Sequence, residues 1–319
     1  MKNKVLVTGG AGFIGSHIVD RLITEGCSVT IFDNLSTGEK RYINSRAIFV
    51  QGDVTDRKVV TSLFEKKFDT VFHLAGCASS INSFTNPEND INTNFLGTVN
   101  IVNACQSTQV SRFLYASSMT VYGKVDKLPI DENFPCRPIS YYGISKYASE
   151  RFVHATAERI DLKKPFNATS FRMFNVYGSR QSLTNPYQGV MAIFIGNVLR
   201  GEPVIIFGDG EQSRDFVYID DVVDAWVNSM DNPETYGHVY NVGYGVDISV
   251  NQLTREIIRI LKHNPKKYPI FYEDTRPGDQ RQMKASIESL KRALGWKPRF
   301  DIKKGLDQTI RWAKEQRSY

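Results

Sequence analysis

A strand, a glycine-rich turn and a helix follow one another at the start of this chain, and this order restricts the possible folds more than any other feature. Residues 5–7 are the apolar run VLV, which suits a buried parallel strand. Residues 8–15 read TGGAGFIG, with Gly9, Gly12 and Gly15 spaced as Gly-x-x-Gly-x-x-Gly. Such glycines permit a tight turn and a close approach of the backbone to phosphate. The segment therefore predicts a dinucleotide pyrophosphate held at a helix N-terminus.

A carboxylate at the end of the second predicted strand indicates which dinucleotide is bound. Residues 28–32 (SVTIF) form that strand, and Asp33 follows it directly. A carboxylate about 20 residues after a glycine-rich loop accepts hydrogen bonds from the adenosine ribose hydroxyls. Its charge would repel a 2′-phosphate, so the sequence favours NAD over NADP.

Apolar strands alternate with amphipathic helices over the first two thirds of the chain. The further predicted strands cover residues 47–50, 70–74 and 113–116, and the predicted helices cover residues 59–64, 91–105 and 145–160. This alternation predicts an α/β fold, a Rossmann-type doubly wound parallel sheet with helices on both faces. From about residue 175, frequent prolines break the chain into shorter elements.

Tyr142 and Lys146 are the residues most indicative of catalysis. They are four apart on a predicted helix and therefore share one face. A nearby ammonium favours the phenolate and lowers a tyrosine pKa that starts near ~10. We therefore expect Tyr142 to act as an acid or base near neutral pH.

The bulk properties exclude several classes of protein. The 319 residues, 41% of them hydrophobic, suffice for a large core, and no apolar run approaches the ~20 residues of a membrane span. The first four residues lead directly into the first strand, so we expect no signal peptide. The four cysteines have no metal-ligand spacing, so we expect reduced thiols, no metal and a cytoplasmic protein.

The net charge of +6 does not indicate a nucleic-acid partner. The basic residues are scattered, and no tract combines dense Lys or Arg with aromatic stacking residues. A mild positive excess also suits a substrate that carries a diphosphate.

Short motifs of one recognisable set run along nearly the whole chain. In order, they are DNLSTG at 33–38, GDV at 52–54, HLAG at 73–76, SSMTVYG at 117–123, YGISK at 142–146, FRMFNVYG at 171–178, FGDGEQSRDF at 207–216, RPGD at 276–279 and LGWKP at 294–298. Together they resemble the motifs of extended short-chain dehydrogenase/reductases, and most closely those of the NAD-dependent nucleotide-sugar epimerases that act on UDP-glucose or UDP-N-acetylglucosamine.

The resemblance implies a set of binding residues. The expected NAD-binding residues are Gly9, Gly12, Phe13, Ile14, Gly15, Asp33, Asn34, Ser36, Thr37, Gly38, Asp53, Val54, Leu74, Ala75, Tyr142 and Lys146. The expected residues for a UDP-sugar substrate are Ser118, Asn175, Arg214, Arg276 and Met283.

The resemblance also implies the reaction, with Ser118, Tyr142 and Lys146 as the catalytic residues. Tyr142 would take the proton of the sugar C4 hydroxyl while NAD accepts the C4 hydride, and the transient 4-keto sugar would be reduced again on its opposite face. Ser118 would bond the sugar O4, although the neighbouring Ser117 is an alternative.

The residues after the serine separate this reaction from related ones. The related 4,6-dehydratases carry an Asp-Glu pair there and the decarboxylases a Glu, whereas this chain has Met119 and Thr120. Neither side chain can exchange a proton beyond C4 as a carboxylate does, so 4-epimerisation is favoured.

Three questions stay open at this stage. Met283 lies where the related enzymes control room for an N-acetyl group, so both glucose and N-acetylglucosamine are possible. The substrate could instead be a UDP-uronic acid or a CDP- or dTDP-sugar. A non-catalytic NAD(H)-binding regulator is a further alternative, which the complete Ser118, Tyr142 and Lys146 set disfavours.

The resemblance finally implies two domains and a homodimer. The NAD-binding domain would comprise residues 1–174 and about 211–241, and the sugar-binding domain residues 175–210 and 245–319. The helices at 89–107 and 141–160 would pair with those of a second copy.

Overall fold

The computed structural model describes residues 3–185, 189–275 and 280–316. Its strands are β1 (Lys4–Thr8), β2 (Ser28–Asp33), β3 (Ile48–Gln51), β4 (Thr70–His73), β5 (Arg112–Ser118), β6 (Asn167–Met173), β7 (Asn175–Tyr177), β8 (Val204–Phe207), β9 (Ser213–Tyr218), β10 (His238–Val242), β11 (Asp247–Ser249), β12 (Ile270–Glu273) and β13 (Gln282–Met283). Its α-helices are α1 (Phe13–Thr24), α2 (Arg57–Leu63), α3 (Ser80–Thr85), α4 (Pro87–Asp90), α5 (Gly97–Thr108), α6 (Tyr141–Ala157), α7 (Val190–Arg200), α8 (Ile219–Asn228), α9 (Val250–Ile260), α10 (Glu288–Leu294) and α11 (Ile302–Glu315).

Seven parallel strands form the large sheet, in the order β10-β6-β5-β4-β1-β2-β3. The strand order reverses between β1 and β4, and ligands of such sheets bind in the crevice at this point. The predicted α/β, doubly wound fold is thus confirmed. No helix within the described ranges is both long and apolar enough to cross a membrane.

Alternate side chains of the strands supply a core on each face of the large sheet. Val5 and Val7 pack with Ile18 of α1 on one face. Leu6, between them, packs on the other face with Ile101 of α5. This two-sided burial explains why the central strands are nearly continuous apolar runs.

The predicted helix at 91–105 is interrupted in the structure. Residues Ile91–Leu96 form a π-helical turn, and the regular α5 begins only at Gly97. Turns of this kind are rare and are frequently found at functional sites. The apolar spacing from which the helix was predicted does not distinguish the two geometries.

A second sheet lies beyond the carboxyl edge of the first and contains β9, which pairs with β7, β11 and β13. Residues 211–241 were expected to belong to the NAD-binding domain. The first strand of this stretch, β9, lies in the second sheet. Only the later elements return to the large sheet, where α8 packs on α1 and β10 pairs with β6. The division into two domains itself stays a prediction.

Arg112, the first residue of β5, joins the large sheet to this returning segment. Its buried guanidinium donates to the carbonyl oxygens of Met230 (2.8 Å) and Ser229 (2.7 Å) and to Oγ1 of Thr235 (3.0 Å). It also lies 4.6 Å from the ring centroid of Tyr236. Burial lowers the pKa of Arg112 to about 10. These hydrogen bonds compensate for the hydration that the guanidinium loses on burial.

Candidate active site

A cleft of about 1180 Å³ opens at the carboxyl edge of the large sheet and extends to the second sheet. The predicted site residues that line it are Gly9, Gly12, Phe13, Ile14, Gly15, Asp33, Asn34, Ser36, Thr37, Asp53, Val54, Leu74, Ala75, Ser118, Tyr142, Lys146, Asn175, Arg214 and Met283. Gly38 lies behind this lining, where an added Cβ would be 3.0 Å from Oδ1 of Asp33. Arg276 lies outside the described residues. The predicted cofactor and substrate residues thus share one cleft.

The glycine-rich turn leaves no room for side chains at two positions. Gly9 has φ +70°, and a Cβ there would be 2.7 Å from the backbone nitrogen of Ala75. A Cβ at Gly15 would be 2.1 Å from the carbonyl oxygen of Gly9. The turn therefore brings bare backbone and the start of α1 to the cleft, an arrangement that fits a pyrophosphate.

Asp33 is held on the glycine-rich turn by backbone donors. Its buried carboxylate accepts from the amide nitrogens of Ala11 (3.0 Å, to Oδ2) and Leu35 (2.8 Å, to Oδ1). Each carboxylate oxygen has two acceptor positions, so capacity for ribose hydroxyls remains. Its side chain and the turn together fit the adenosine half of NAD.

Ser118 and Tyr142 both line the cleft, where β5 ends and α6 begins. The side chain of Ser140 accepts from the amide nitrogen of Gly143 (3.1 Å) and so caps α6 immediately before Tyr142. The Ser118 hydroxyl acts on the Tyr142 phenol and favours its ionised form. Thr120 donates its hydroxyl to Ser118 at 2.9 Å.

Ser117, the alternative to Ser118, points to a different partner. Its hydroxyl donates to Oε2 of Glu150 at 2.6 Å. Ser117 also lines the cleft, but its hydroxyl is already bonded to Glu150, so Ser118 is the better candidate for contact with a sugar hydroxyl.

The pKa of Tyr142 differs in direction from the expectation. Burial raises it to about 12 in the protein alone, and the Ser118 hydroxyl opposes this rise. Burial also lowers the pKa of Lys146 to about 8. The Lys146 ammonium lies 4.6 Å from the ring centroid of Tyr115. The expected lowering of the Tyr142 pKa by Lys146 is therefore wrong for the protein alone, because burial dominates and Lys146 is not among the groups that act on this pKa.

The expected substrate residues approach the cleft from the second sheet. Met283 on β13 is buried and lies opposite Arg214 on β9 in the strand register. The amide of Asn175 on β7 donates to the carbonyl oxygen of Asp215 at 3.1 Å. The buried Asp215 carboxylate accepts from three backbone amides, one of them that of Ala285 at 3.0 Å. Asp215 therefore fixes the strands that present Arg214 and Met283.

A buried ion pair beneath the catalytic serine was not predicted. Glu150 lies on α6 one turn after Lys146, and Arg172 lies on β6. The guanidinium donates to both carboxylate oxygens, at 2.6 Å and 3.0 Å, and both side chains are buried. A further hydrogen bond joins Arg172 to the hydroxyl of Tyr122 (3.0 Å). Sequence spacing gave no signal for this pair, since its members lie on different elements.

Asp90 and Asn94 were also missed, although both border the catalytic pair. Asp90 is buried and lines the cleft. Asn94, in the π-helical turn, donates to Oγ of Ser145 (2.9 Å) and accepts from the amide nitrogen of Cys77 (2.8 Å). A periodicity that predicts an ordinary helix assigns these side chains no role. Buried polar residues on the predicted helix were the only available signal.

Comparisons with known proteins identify the family of this chain. Residues 5–243 match the model of the NAD dependent epimerase/dehydratase family. A putative UDP-glucose 4-epimerase of Methanocaldococcus jannaschii is 38% identical over 97% of this chain and 98% of the relative. The Thermotoga maritima UDP-glucose 4-epimerase solved with UDP-glucose superposes with a TM-score of 0.92 at 38% identity, covering 98% of each chain. A UDP-N-acetylglucosamine 4-epimerase of Methanobrevibacter ruminantium superposes with a TM-score of 0.90 at 34% identity, covering 98% of this chain and 99% of the other.

Proposed function

Because this chain belongs to the NAD-dependent epimerase/dehydratase family, we propose that it is an NAD-dependent nucleotide-sugar 4-epimerase that acts on UDP-hexoses. The observation that carries the proposal is that Ser118, Tyr142 and Lys146 line the same cleft as the glycine-rich turn. A non-catalytic regulator would have no use for a proton acceptor at this position.

Each residue of the site has its own role in the proposed reaction. When bound, NAD supplies the acceptor and then the donor of the C4 hydride. Tyr142, ionised, takes the proton of the C4 hydroxyl as the alcohol becomes a ketone, and returns it when the ketone is reduced. Ser118 bonds the same oxygen, and the positive charge of Lys146 favours the ionised phenol.

A sugar that turns over within the site needs an anchor that stays in place. Arg214 and Asn175, on the second sheet, are the described residues that we assign to the diphosphate. Arg276 would join them. A guanidinium suits this role because it can form two parallel hydrogen bonds with phosphate oxygens.

The absence of a carboxylate after Ser118 supports epimerisation over elimination. Met119 and Thr120 occupy the two positions, and the hydroxyl of Thr120 is already bonded to Ser118 at 2.9 Å. Neither side chain can act as the second acid or base that proton exchange beyond C4 requires.

Two UDP-sugars are candidate substrates, and the choice depends on the room beside Met283. The related epimerase from Methanobrevibacter ruminantium is named for UDP-N-acetylglucosamine and that from Thermotoga maritima for UDP-glucose. A flexible thioether is compatible with either sugar. We therefore propose activity on both, with a UDP-uronic acid or a CDP- or dTDP-sugar as the alternative.

The experiment is product analysis of the purified protein with each nucleotide sugar. Incubation with UDP-glucose should give UDP-galactose, and UDP-N-acetylglucosamine should give its 4-epimer, with no net consumption of NAD. No epimer from either substrate, with NAD bound, would contradict the proposed substrates. The same assay with UDP-glucuronate and with CDP- and dTDP-glucose then tests the alternatives.

Asp33→Ser should weaken the preference of the protein for NAD over NADP. The change removes the charge that repels a 2′-phosphate and an acceptor for ribose hydroxyls. Such a charge-assisted hydrogen bond contributes ~1.5–3 kcal/mol, or roughly ten- to a hundredfold in affinity. Titration of cofactor-free protein with both dinucleotides measures the ratio. Glu39→Gln, which removes an exposed charge nearby, is the control, and tighter binding of NADP by the wild type would refute the assignment.

We further propose that two copies associate through exposed apolar side chains of α3, α6 and the π-helical turn. These side chains, each exposed by 39–49%, are Phe84, Ile91, Leu96, Tyr141 and Ile144. Exposed clusters of this kind mark protein contacts. The cytoplasmic location stays a prediction.

Light scattering should find a dimer of the wild type and a monomer of Ile144→Asp. A charge at this position would have to be buried without a partner in the dimer. The matched control is Ile160→Asp, since Ile160 is fully exposed and lies beyond the end of α6. A monomeric wild type would refute the proposal.

A further inference from the structure

The surroundings of Lys146 raise the question of what keeps this buried amine charged. Its side chain is 4% exposed. Within the described ranges, the ionisable groups whose charges act on it are Cys77, Glu150 and Asp90. A buried ammonium without a compensating negative charge loses its proton readily. The effect of Asp90 is the smallest of the three, so its importance depends on the states of the other two groups.

Two of the three groups are poor candidates. The charge of Glu150 is already balanced by Arg172, which donates two hydrogen bonds to it. Burial raises the pKa of the Cys77 thiol, so the thiol is neutral near pH 7. Asp90 is the remaining carboxylate, and its Oδ1 accepts from the amide nitrogen of Asn94 at 3.3 Å.

Asp90 and Lys146 both line the cleft, and the helices that carry them, α4 and α6, pack against each other. Asn94 joins the two, since its amide nitrogen lies 3.3 Å from Oδ1 of Asp90 and 2.9 Å from Oγ of Ser145, the neighbour of Lys146. A Cβ added at Gly76 would lie 2.6 Å from Oδ1 of Asn94 and 3.9 Å from the Lys146 nitrogen. Gly76 therefore leaves the space in which Asn94 and the ammonium approach each other.

We propose that Asp90 is an electrostatic positioning residue, the counter-charge that keeps Lys146 protonated and thereby sets the pH range in which Tyr142 works. The groups that face Asp90 are Lys146 and Tyr142 from α6 and Cys77 from the segment after β4. The π-helical turn directly after Asp90 supplies Asn94. The inference rests on the proposed epimerase function only for its kinetic readout.

The sign of the effect follows from the charges. The negative charge of Asp90 raises the pKa of both Lys146 and Tyr142. Its removal should lower both, so both limbs of the pH–rate profile should move to lower pH. Burial raises the pKa of Asp90 itself to about 6. Below that pH the wild-type carboxyl is neutral, and the wild type and a neutral variant should converge.

The experiment compares Asp90→Asn with Glu88→Gln, which removes an exposed carboxylate from the same helix. We expect Asp90→Asn to move both limbs of kcat/KM by about one pH unit toward acid, and Glu88→Gln to move neither. Asp90→Glu, which keeps a carboxylate, should show both limbs of the kcat/KM profile at the wild-type pH. A lower plateau with unmoved limbs would show a purely structural role and overturn the proposal, as would an unchanged profile.

A second measurement needs no turnover. In the NAD-loaded protein, the ultraviolet absorbance of the Tyr142 phenolate, taken by difference from Tyr142→Phe, should titrate at lower pH in Asp90→Asn than in the wild type. Asp90→Ser replaces Asp90→Asn if the latter does not fold. An unmoved titration refutes the role of Asp90 even if epimerisation is found. A moved titration in a protein that epimerises no sugar supports Asp90 and refutes the proposed function instead.

Discussion

Tyr142→Phe should abolish nearly all epimerisation while the protein stays folded and binds NAD. The ring remains and only the proton acceptor is lost, and a group of this kind contributes ~10²–10⁴-fold to the rate. The measurement is kcat/KM for UDP-glucose, with the melting temperature and the NAD content determined in parallel.

Tyr141→Phe is the matched control, because Tyr141 is the neighbouring tyrosine on α6 and is 46% exposed. It should keep the wild-type rate. If Tyr142→Phe retains more than about a tenth of the rate, against the ~10²–10⁴-fold expected, another group must be the base.

Glu150→Gln should destabilise the protein strongly, since it leaves the Arg172 guanidinium buried beside a neutral amide. Removal of one member of a buried ion pair costs ~3–5 kcal/mol. Although burial acts against the charged guanidinium, the hydrogen bonds and charge of Glu150 raise the pKa of Arg172. The cation therefore cannot escape the cost by losing its proton. Urea unfolding at neutral pH measures the free energy of unfolding.

Glu158→Gln provides the comparison, because Glu158 is exposed and ends the same helix. It should change the free energy of unfolding by no more than ~0.5 kcal/mol. A loss below about 1 kcal/mol in Glu150→Gln, against the ~3–5 expected, would mean that water or another group compensates Arg172. The ion pair would then not be the element that fixes α6 against β5 and β6.

The parts of the site that the sequence predicted are those that depend on local chemistry. The glycine-rich turn, Asp33 and the Tyr142–Lys146 spacing each follow from residues close together in the chain, and all of these residues meet at the cleft. The parallel, doubly wound character of the large sheet follows from the alternation of strands and helices.

The parts that it did not predict depend on contacts between distant segments. In the sequence, Glu150 and Arg172 cannot be distinguished from surface charges, because only the packing of α6 against β6 brings them together and buries them. The direction of the Tyr142 pKa was wrong because the spacing to Lys146 says nothing about burial. Asp90 escaped notice because hydrophobic spacing predicts a helix without showing where its hydrogen bonding changes to a π-helical turn.

The contacts of Arg112 limit which fragments of the chain can keep its buried hydrogen bonds. A fragment that stops at residue 174 would contain every predicted strand of the cofactor half but would lack Ser229, Met230 and Thr235, the partners of this guanidinium. It would also lack β10, leaving β6 as a bare sheet edge. The unit that contains the large sheet is therefore interrupted in sequence. During synthesis, its sheet cannot be completed until the ribosome has made residues that follow much of the second sheet.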